Sequence, residues 1–342
     1  MDKQKRNPGS APESYPWYDD RVTVLCEEED FADAEWPYSS LSSEDAYDTP
    51  KRIYEYLDQH VWKQDAAKKA ASVIAYNCIM RGVKSNAMFI GPTGCGKTHI
   101  WRCLRNIFPD RIAIVDGSNL TMDGWRGEKK WSSLFRSPVF RAGKKSILVI
   151  DEADKMLTPK FTSHGENTSS SIQSEGLTMM EGAKVEIKEG SVAYQIDTSK
   201  ISFVFCGAFS VKAVDVAEKE AGSRIGFGAA ATEAKAYGRV LTDTDLIAFG
   251  VMPEFMGRIQ RIVGLEPMTA DDYYRITSDL ASFLTRINRQ YRTNVRLSVG
   301  TRQELAAEAF HSGLGIRGME NRIRAMLDEA IFEDCDRRCF EF

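Results

Sequence analysis

Four short apolar runs punctuate the first two-thirds of the chain, at residues 86–90, 112–116, 146–150 and 201–206. They are dense in aliphatic and aromatic side chains and do not alternate with polar ones. That is the pattern of strands buried on both faces, as in a parallel sheet. Between and before them the period changes to that of helices. Ile53, Tyr56 and Leu57 share one helical face, and Ala66, Ala70, Val73, Ile74 and Asn77 continue a second helix for which Asp65 is the candidate cap. Residues 99–108 read as a further helix. Towards the C-terminus, helical spacing runs over 271–288 through Tyr274, Ile276, Leu280 and Leu284. Residues 295–299 then alternate as a short strand, and 302–310 and 317–332 are amphipathic helices. Residues 1–48 show neither period; they hold prolines, serines, the acidic run Glu27-Glu28-Glu29-Asp30 and the aromatics Trp17, Tyr18, Trp36 and Tyr38. This pattern predicts an α/β protein in three parts. An acidic extension spans 1–48, a large domain with a central parallel sheet flanked by helices spans 49–265, and a small, mostly helical domain spans 266–342.

The first apolar run feeds directly into Gly91-Pro92-Thr93-Gly94-Cys95-Gly96-Lys97-Thr98, which fits G-x-x-x-x-G-K-[ST]. In such a loop backbone amides cradle phosphates, the Lys reaches the β and γ phosphates, and the Thr hydroxyl binds Mg²⁺. Average glycine usage makes the spelling a chance event in about one chain per hundred of this length. A strand before the loop and a helix after it supply the anion-binding geometry. The third run ends in Asp151-Glu152-Ala153-Asp154. Carboxylates at the carboxyl end of a parallel strand lie where α/β sheets bind ligands. Asp151 there can hold Mg²⁺, partly through water, while Glu152 orients and polarises the attacking water. Together these residues predict ATP and Mg²⁺ as ligands and hydrolysis as the reaction. The fourth run ends at Cys206 and Gly207, which offer no obvious sensor of the γ-phosphate.

Composition narrows the setting. A hydrophobic fraction of 43% and a charged fraction of 27% are those of an ordinary globular protein. The formal net charge of −4 argues against a general attraction to nucleic acid or to an anionic membrane. The seven cysteines are scattered without a C-x-x-C pair, as expected of reduced thiols in the cytoplasm. Cys335 and Cys339 read as one helix without further zinc ligands. No apolar run reaches membrane-spanning length, and the N-terminus has no signal-peptide core.

The order of these motifs resembles that of an AAA+ ATPase, and closely that of the ClpX branch, ring-shaped unfoldases that feed proteins to the ClpP peptidase. The resemblance runs from about residue 49 to 333. His60-Val61-Trp62-Lys63-Gln64 stands at the place of the family's adenine-side Val-Ile-Gly-Gln, with Trp62-Lys63 replacing the middle pair. The P-loop departs only at Cys95, where Ser is usual, and residues 150–155 match the Walker B segment. Gly124-Trp125-Arg126-Gly127 occupies the place of the pore loop, Gly-Tyr-Val-Gly. An aromatic flanked by glycines suits a loop that flexes while gripping arbitrary polypeptide, and Arg126 would bias the pore towards acidic segments. Ser174-Glu175-Gly176 resembles the end of a second pore loop.

Ile225-Gly226-Phe227 matches the tripeptide with which ClpX rings dock on ClpP, a weak contact strengthened by repetition around the ring. Within residues 253–258, the resemblance makes Arg258 an arginine finger for the neighbouring subunit's nucleotide. It makes Arg317, within 315–318, a sensor for the subunit's own. Val61 and Trp62 would flank the base. The family's N-terminal four-cysteine zinc domain has no counterpart. The resemblance thus implies a homo-hexameric ATPase that unfolds protein substrates for a ClpP-like peptidase. A remodeller working without a peptidase and a nucleic-acid-handling AAA+ ATPase are the alternatives.

Overall fold

In the computed structural model the described residues are 46–118, 120–121, 130–161, 167–189, 192–209, 241–279 and 282–342. The acidic extension up to residue 45, both Gly124–Gly127 and Ile225–Phe227, and part of the segment before Ser174 lie outside them.

Among the described residues five strands form one parallel sheet: β1 (Ala87–Ile90), β2 (Ile112–Asp116), β3 (Ser146–Asp151), β6 (Ile201–Gly207) and β7 (Arg261–Gly264), in the order β2-β3-β6-β1-β7. Residues 147–150 of β3 and all of β6 are buried, as their unbroken apolar runs require. The register sets Ile90 beside Gly207, Ile150 beside Phe205 and Asp116 beside Asp151. The carboxyl ends of β1, β3 and β6 are thereby aligned along one edge. Strand β7 has no counterpart in the apolar pattern. It is four residues long on the sheet's edge, and only Val263 in it is buried.

Two apolar cores sandwich the sheet. One packs Ile53, Leu57, Ala71, Ile74, Trp101 and Leu104 from helices α1 (Pro50–His60), α2 (Asp65–Ile79) and α3 (Lys97–Ile107) against Phe89, Val149 and Val204. The other packs Trp131, Phe135, Ile172 and Phe255 against Leu148, Ile150, Phe203 and Phe205. Alternate strand residues therefore face opposite layers. Thr49 caps α1, its hydroxyl accepting from the Arg52 amide. Asp65 does not cap α2: it is the first helical residue, after Gln64 in the left-handed region, and its carboxylate pairs with the buried Lys68.

After helix α7 (Thr168–Glu181), which follows the short helices α4 (Trp131–Leu134), α5 (Pro138–Arg141) and α6 (Ala153–Leu157), the chain makes an antiparallel pair, β4 (Lys184–Glu189) and β5 (Val192–Asp197). Val185 and Ile187 point inwards while Lys184, Glu186 and Lys188 are exposed. The short helices α8 (Asp243–Phe249) and α9 (Pro253–Met256) precede β7.

Beyond β7 a third core gathers Tyr273, Ile276, Phe283, Ile287, Leu305, Met319, Ile323 and Leu327. Within the helical run expected over 271–288, the described residues form α10 (Ala270–Asp279) and α11 (Ser282–Tyr291), and Leu280 lies outside them. The strand expected at 295–299 is β8 (Asn294–Arg296), after which come α12 (Val299–Ser312) and α13 (Gly315–Glu333). Cys335 and Cys339 do not share a helix. α13 ends at Glu333, Asp334 turns extended and its carboxylate accepts from the Asp336 amide, and Cys339 opens β9 (Cys339–Glu341), parallel to β8. Burial of Phe340 in the third core favours the strand over a longer helix.

Candidate functional site

The loop between β1 and α3 is shaped by glycines. Gly94 and Gly96 have φ of 83° and 99°, in the left-handed region that L side chains avoid. Gly96 is the N-cap of α3 and provides no side-chain cap, and open space surrounds the position where a Cβ would stand. The first amides of a helix have no intrahelical partner, so this end presents donors and a positive dipole to that space.

Lys97 is 9% exposed, and its ammonium donates to the carbonyls of Gly91 and Pro92, both at 2.7 Å. Among the described residues no carboxylate meets it. A buried cation held only by neutral acceptors is incompletely compensated, and an anionic ligand is the fitting complement. Cys95 is buried with its Sγ 3.9 Å from the Lys97 ammonium, and burial raises its pKa. The thiol is therefore a neutral packing group.

Thr98 is in the first turn of α3. Its hydroxyl donates to Asp151 Oδ2 at 2.8 Å, while Asp151 Oδ1 accepts the Glu152 amide at 3.1 Å. This bond joins the phosphate loop to the end of β3 across β6, which separates them in the sheet. A hydroxyl and a carboxylate side by side are hard oxygen donors that fit Mg²⁺. Glu152 has φ 56° and stands at the N-cap position of α6 without a side-chain capping bond, and its carboxylate accepts from the Lys155 ammonium at 2.7 Å on the surface. Beneath the site Cys206 is fully buried. Burial, then the Asp151 carboxylate, pushes its pKa well up, so it remains a thiol. Gly207 is needed for close approach: a Cβ there would lie 2.6 Å from Phe209 and 2.8 Å from Asp154 Oδ1.

On the opposite side of the loop, Val61 is buried in the first core and Trp62 turns to the third. The Trp62 indole donates to Asp272 Oδ1 at 3.0 Å, and the Lys63 ammonium donates to Asp272 Oδ2 at 3.3 Å and pairs with Glu266 at 3.2 Å. Gln64, which sequence reasoning did not single out, is 4% exposed. Its amide donates to the Cys95 carbonyl at 3.3 Å and the Glu266 carbonyl at 2.8 Å, and its Oε1 accepts the Glu266 amide at 2.9 Å. Lys63 and Gln64 have φ of 58° and 60°, a left-handed pair costing about 1–2 kcal/mol per residue. These contacts hold it in place.

Arg258 is elsewhere. Its carbonyl accepts from Asn86 Nδ2 at 3.0 Å, at the start of β1, whereas the phosphate loop begins at the other end of that strand. Its guanidinium pairs with Glu181. Arg317, in the first turn of α13, is exposed. The residues brought together are therefore Gly91–Thr98, Asp151 and Glu152, with residues 61–64 alongside Cys95.

A parallel sheet carrying a P-loop on one strand and an acidic pair on another defines a P-loop ATPase. The AAA domain (Cdc48 subfamily) matches residues 83–262. The chain is 28% identical to the ATP-dependent Clp protease ATP-binding subunit ClpX of Treponema denticola over 355 aligned positions, covering 92% of this chain and 83% of that protein. It is 30% identical to the ATP-dependent Clp protease ATP-binding subunit ClpX 2 of Wolinella succinogenes over 321 positions, covering 83% of this chain and 77% of that protein. The chain belongs to the ClpX family of AAA ATPases. It binds nucleotide and is an ATPase.

Proposed function

We infer that this ATPase is a ring-forming protein unfoldase that draws polypeptide through a central pore and delivers it to a ClpP-like peptidase. The observation that carries the hydrolytic part is the Thr98–Asp151 hydrogen bond of 2.8 Å beside a buried Lys97 that has only neutral acceptors. In this reading the backbone N–H groups of residues 93–98 and the Lys97 ammonium bind the phosphates of ATP, and Thr98 and Asp151 hold Mg²⁺. The ion, when bound, neutralises charge on the phosphate oxygens. Glu152 leaves Lys155 to orient the attacking water. Val61 and the neighbouring Trp62 form the base side, and Arg317 contacts the nucleotide of its own subunit.

Arg258 serves a different subunit. Strand β1, with four residues, spans about 13 Å. The Arg258 backbone stands at its far end, so the side chain is badly placed for its own phosphate loop. An arginine finger acting in trans makes a homo-hexamer the working form. The pore-loop spelling Gly124-Trp125-Arg126-Gly127 supports polypeptide as the translocated substrate, and Ile225-Gly226-Phe227 supports the peptidase partner. The third core, whose buried members run from Tyr273 to Phe340, supports a small lid domain over 266–342 whose rotation couples hydrolysis to movement. No helix among the described residues is long and apolar enough to cross a membrane, and the cytoplasm is the proposed compartment.

Glu152→Gln tests the site. Equilibrium binding of ATP should persist, rings should assemble with ATP on size-exclusion chromatography, and turnover should fall by about a hundredfold or more. Unchanged turnover would remove Glu152 from the mechanism.

A further inference from the structure

The base-side segment departs from the family spelling at Trp62 and Lys63, and both departures converge on one carboxylate about 210 positions away. Asp272 is 8% exposed and lies in the first turn of α10. Its Oδ1 accepts the Trp62 indole at 3.0 Å. Its Oδ2 accepts Lys63 at 3.3 Å, the Thr269 amide at 2.8 Å and the Thr269 hydroxyl at 2.9 Å. Lys63 also pairs with Glu266, and the next residue, Gln64, ties the Cys95 carbonyl of the phosphate loop to the Glu266 backbone. Residues 62–64 are thus a strap running from the phosphate loop to the start of α10.

The residue after Asp272 shows what the strap positions. Tyr273 is 6% exposed, and its hydroxyl would lie 3.0 Å from a Cβ on Gly315 and 3.6 Å from one on Gly94. A Cβ on Gly315 would itself be 3.6 Å from Gly94 Cα. The start of α13, which carries Arg317, therefore rests on the phosphate loop with the Tyr273 hydroxyl wedged beside the contact.

We propose that Asp272, through Trp62 and Lys63, is a positioning residue that clasps the C-terminal helical layer to the nucleotide site and seats Tyr273 and the start of α13 on the phosphate loop. The proposal rests on the ATPase reading of that loop and adds to it a determinant of nucleotide retention. The clasp closes the site over bound nucleotide, and its opening accompanies release. Neither oxygen of Asp272 is spare, so an amide at this position can satisfy only one side of the clasp.

The test uses the full chain and a fluorescent ADP analogue. Asp272→Asn should speed release of the analogue and weaken its binding by about tenfold, the scale of one charge-assisted contact, with a rise in KM for ATP larger than any fall in kcat. Trp62→Phe should weaken binding in the same direction. Because both substitutions remove the same contact, Trp62→Phe combined with Asp272→Ala, which leaves no acceptor for the indole, should be no worse than Asp272→Ala alone. Asp272→Asn binding within twofold, or full additivity in the double variant, overturns the clasp. Additivity would also show that Trp62 acts directly on the base. Glu152→Gln run in parallel separates the two claims: it binds the analogue yet does not turn over ATP if the ATPase reading holds, whatever Asp272→Asn does. Circular dichroism and thermal unfolding confirm that each variant compared is folded.

Discussion

The two sides of the nucleotide site are built on different scales. On the phosphate side everything is local or one strand away. Residues 91–96 form the turn between β1 and α3, and Thr98, in the first turn of that helix, reaches Asp151 across a single intervening strand. On the base side the contacts span the chain, since Trp62 and Lys63 meet Asp272 and Gln64 meets Glu266. The phosphate side has a geometry fixed by backbone and glycine, which holds an anion in any P-loop protein. The base side is an assembly of side chains, where a sequence can depart from its family and rebuild. The chemistry is thus placed on the invariant geometry, and its coupling to the helical layer on the adaptable one.

Variants on either side should fail differently. The largest effect expected is on turnover. Arg258→Ala should reduce ATP hydrolysis by the assembled ring by about a thousandfold while leaving nucleotide affinity within about twofold. Its pair with Glu181 is half exposed on both sides, so thermal stability should hardly change. Steady-state kinetics with an equilibrium binding assay checks both. A large loss of affinity would place Arg258 in its own subunit's site. Next, Lys97→Ala should weaken ATP binding by roughly a hundredfold, as loss of a buried charge-assisted donor to phosphate requires. Titration calorimetry reads it directly, and unchanged binding would dissolve the phosphate side of the comparison.

Gly315→Ala should be felt on the other side. The position has φ 58°, and the added methyl would meet the Tyr273 hydroxyl at 3.0 Å. A loss of about 1–3 kcal/mol in stability is expected in chemical denaturation.

The pH dependence of the Asp272 contacts sharpens the comparison further. Burial alone would raise the Asp272 pKa. The Thr269 amide, the Trp62 indole, the Thr269 hydroxyl and the Lys63 charge outweigh it and hold the carboxyl below its ordinary value. A depressed folded pKa means the stabilisation is fully present above the unfolded value, about pH 4, and is lost as pH falls through the folded one. Binding of the ADP analogue should therefore show no Asp272-linked change from pH 8 to 5. A loss of binding that begins near pH 6 and disappears in Asp272→Asn would contradict this. The smallest effect is on thiols: among the described residues the exposed Cys335 should alkylate first, and the buried Cys95 and Cys206 only on unfolding.

The same difference of scale explains what the sequence disclosed. Strands β1, β3 and β6 could be read because burial on both faces writes an unbroken apolar run, and the edge strand β2, only half-buried towards its end, because its apolar run is still continuous. Strand β7 could not, since four residues at a sheet edge with only Val263 buried carry too little pattern. Gly91 to Thr98, Asp151 and Glu152, which the fold brings together, could be singled out because the phosphate chemistry proposed for them fixes residue types at short spacing. Gln64 and Asp272 were not, because their roles arise only when the fold brings residues 64 and 266, or 62 and 272, together. Trp62 was placed on the base side by resemblance, yet its indole is committed to Asp272, a partner no local pattern reveals. One signal was available: two adjacent departures from a family motif invite a search for a compensating residue elsewhere.

The most direct measurement of the central claim is ATP-dependent unfolding of a tagged, folded fluorescent reporter, alone and with a ClpP peptidase. Reporter fluorescence should fall only with hydrolysable ATP, the tagged protein should be degraded when the peptidase is added, and both should stop in Glu152→Gln. Steady ATP hydrolysis by assembled rings that neither unfold the reporter nor promote its degradation would contradict the account.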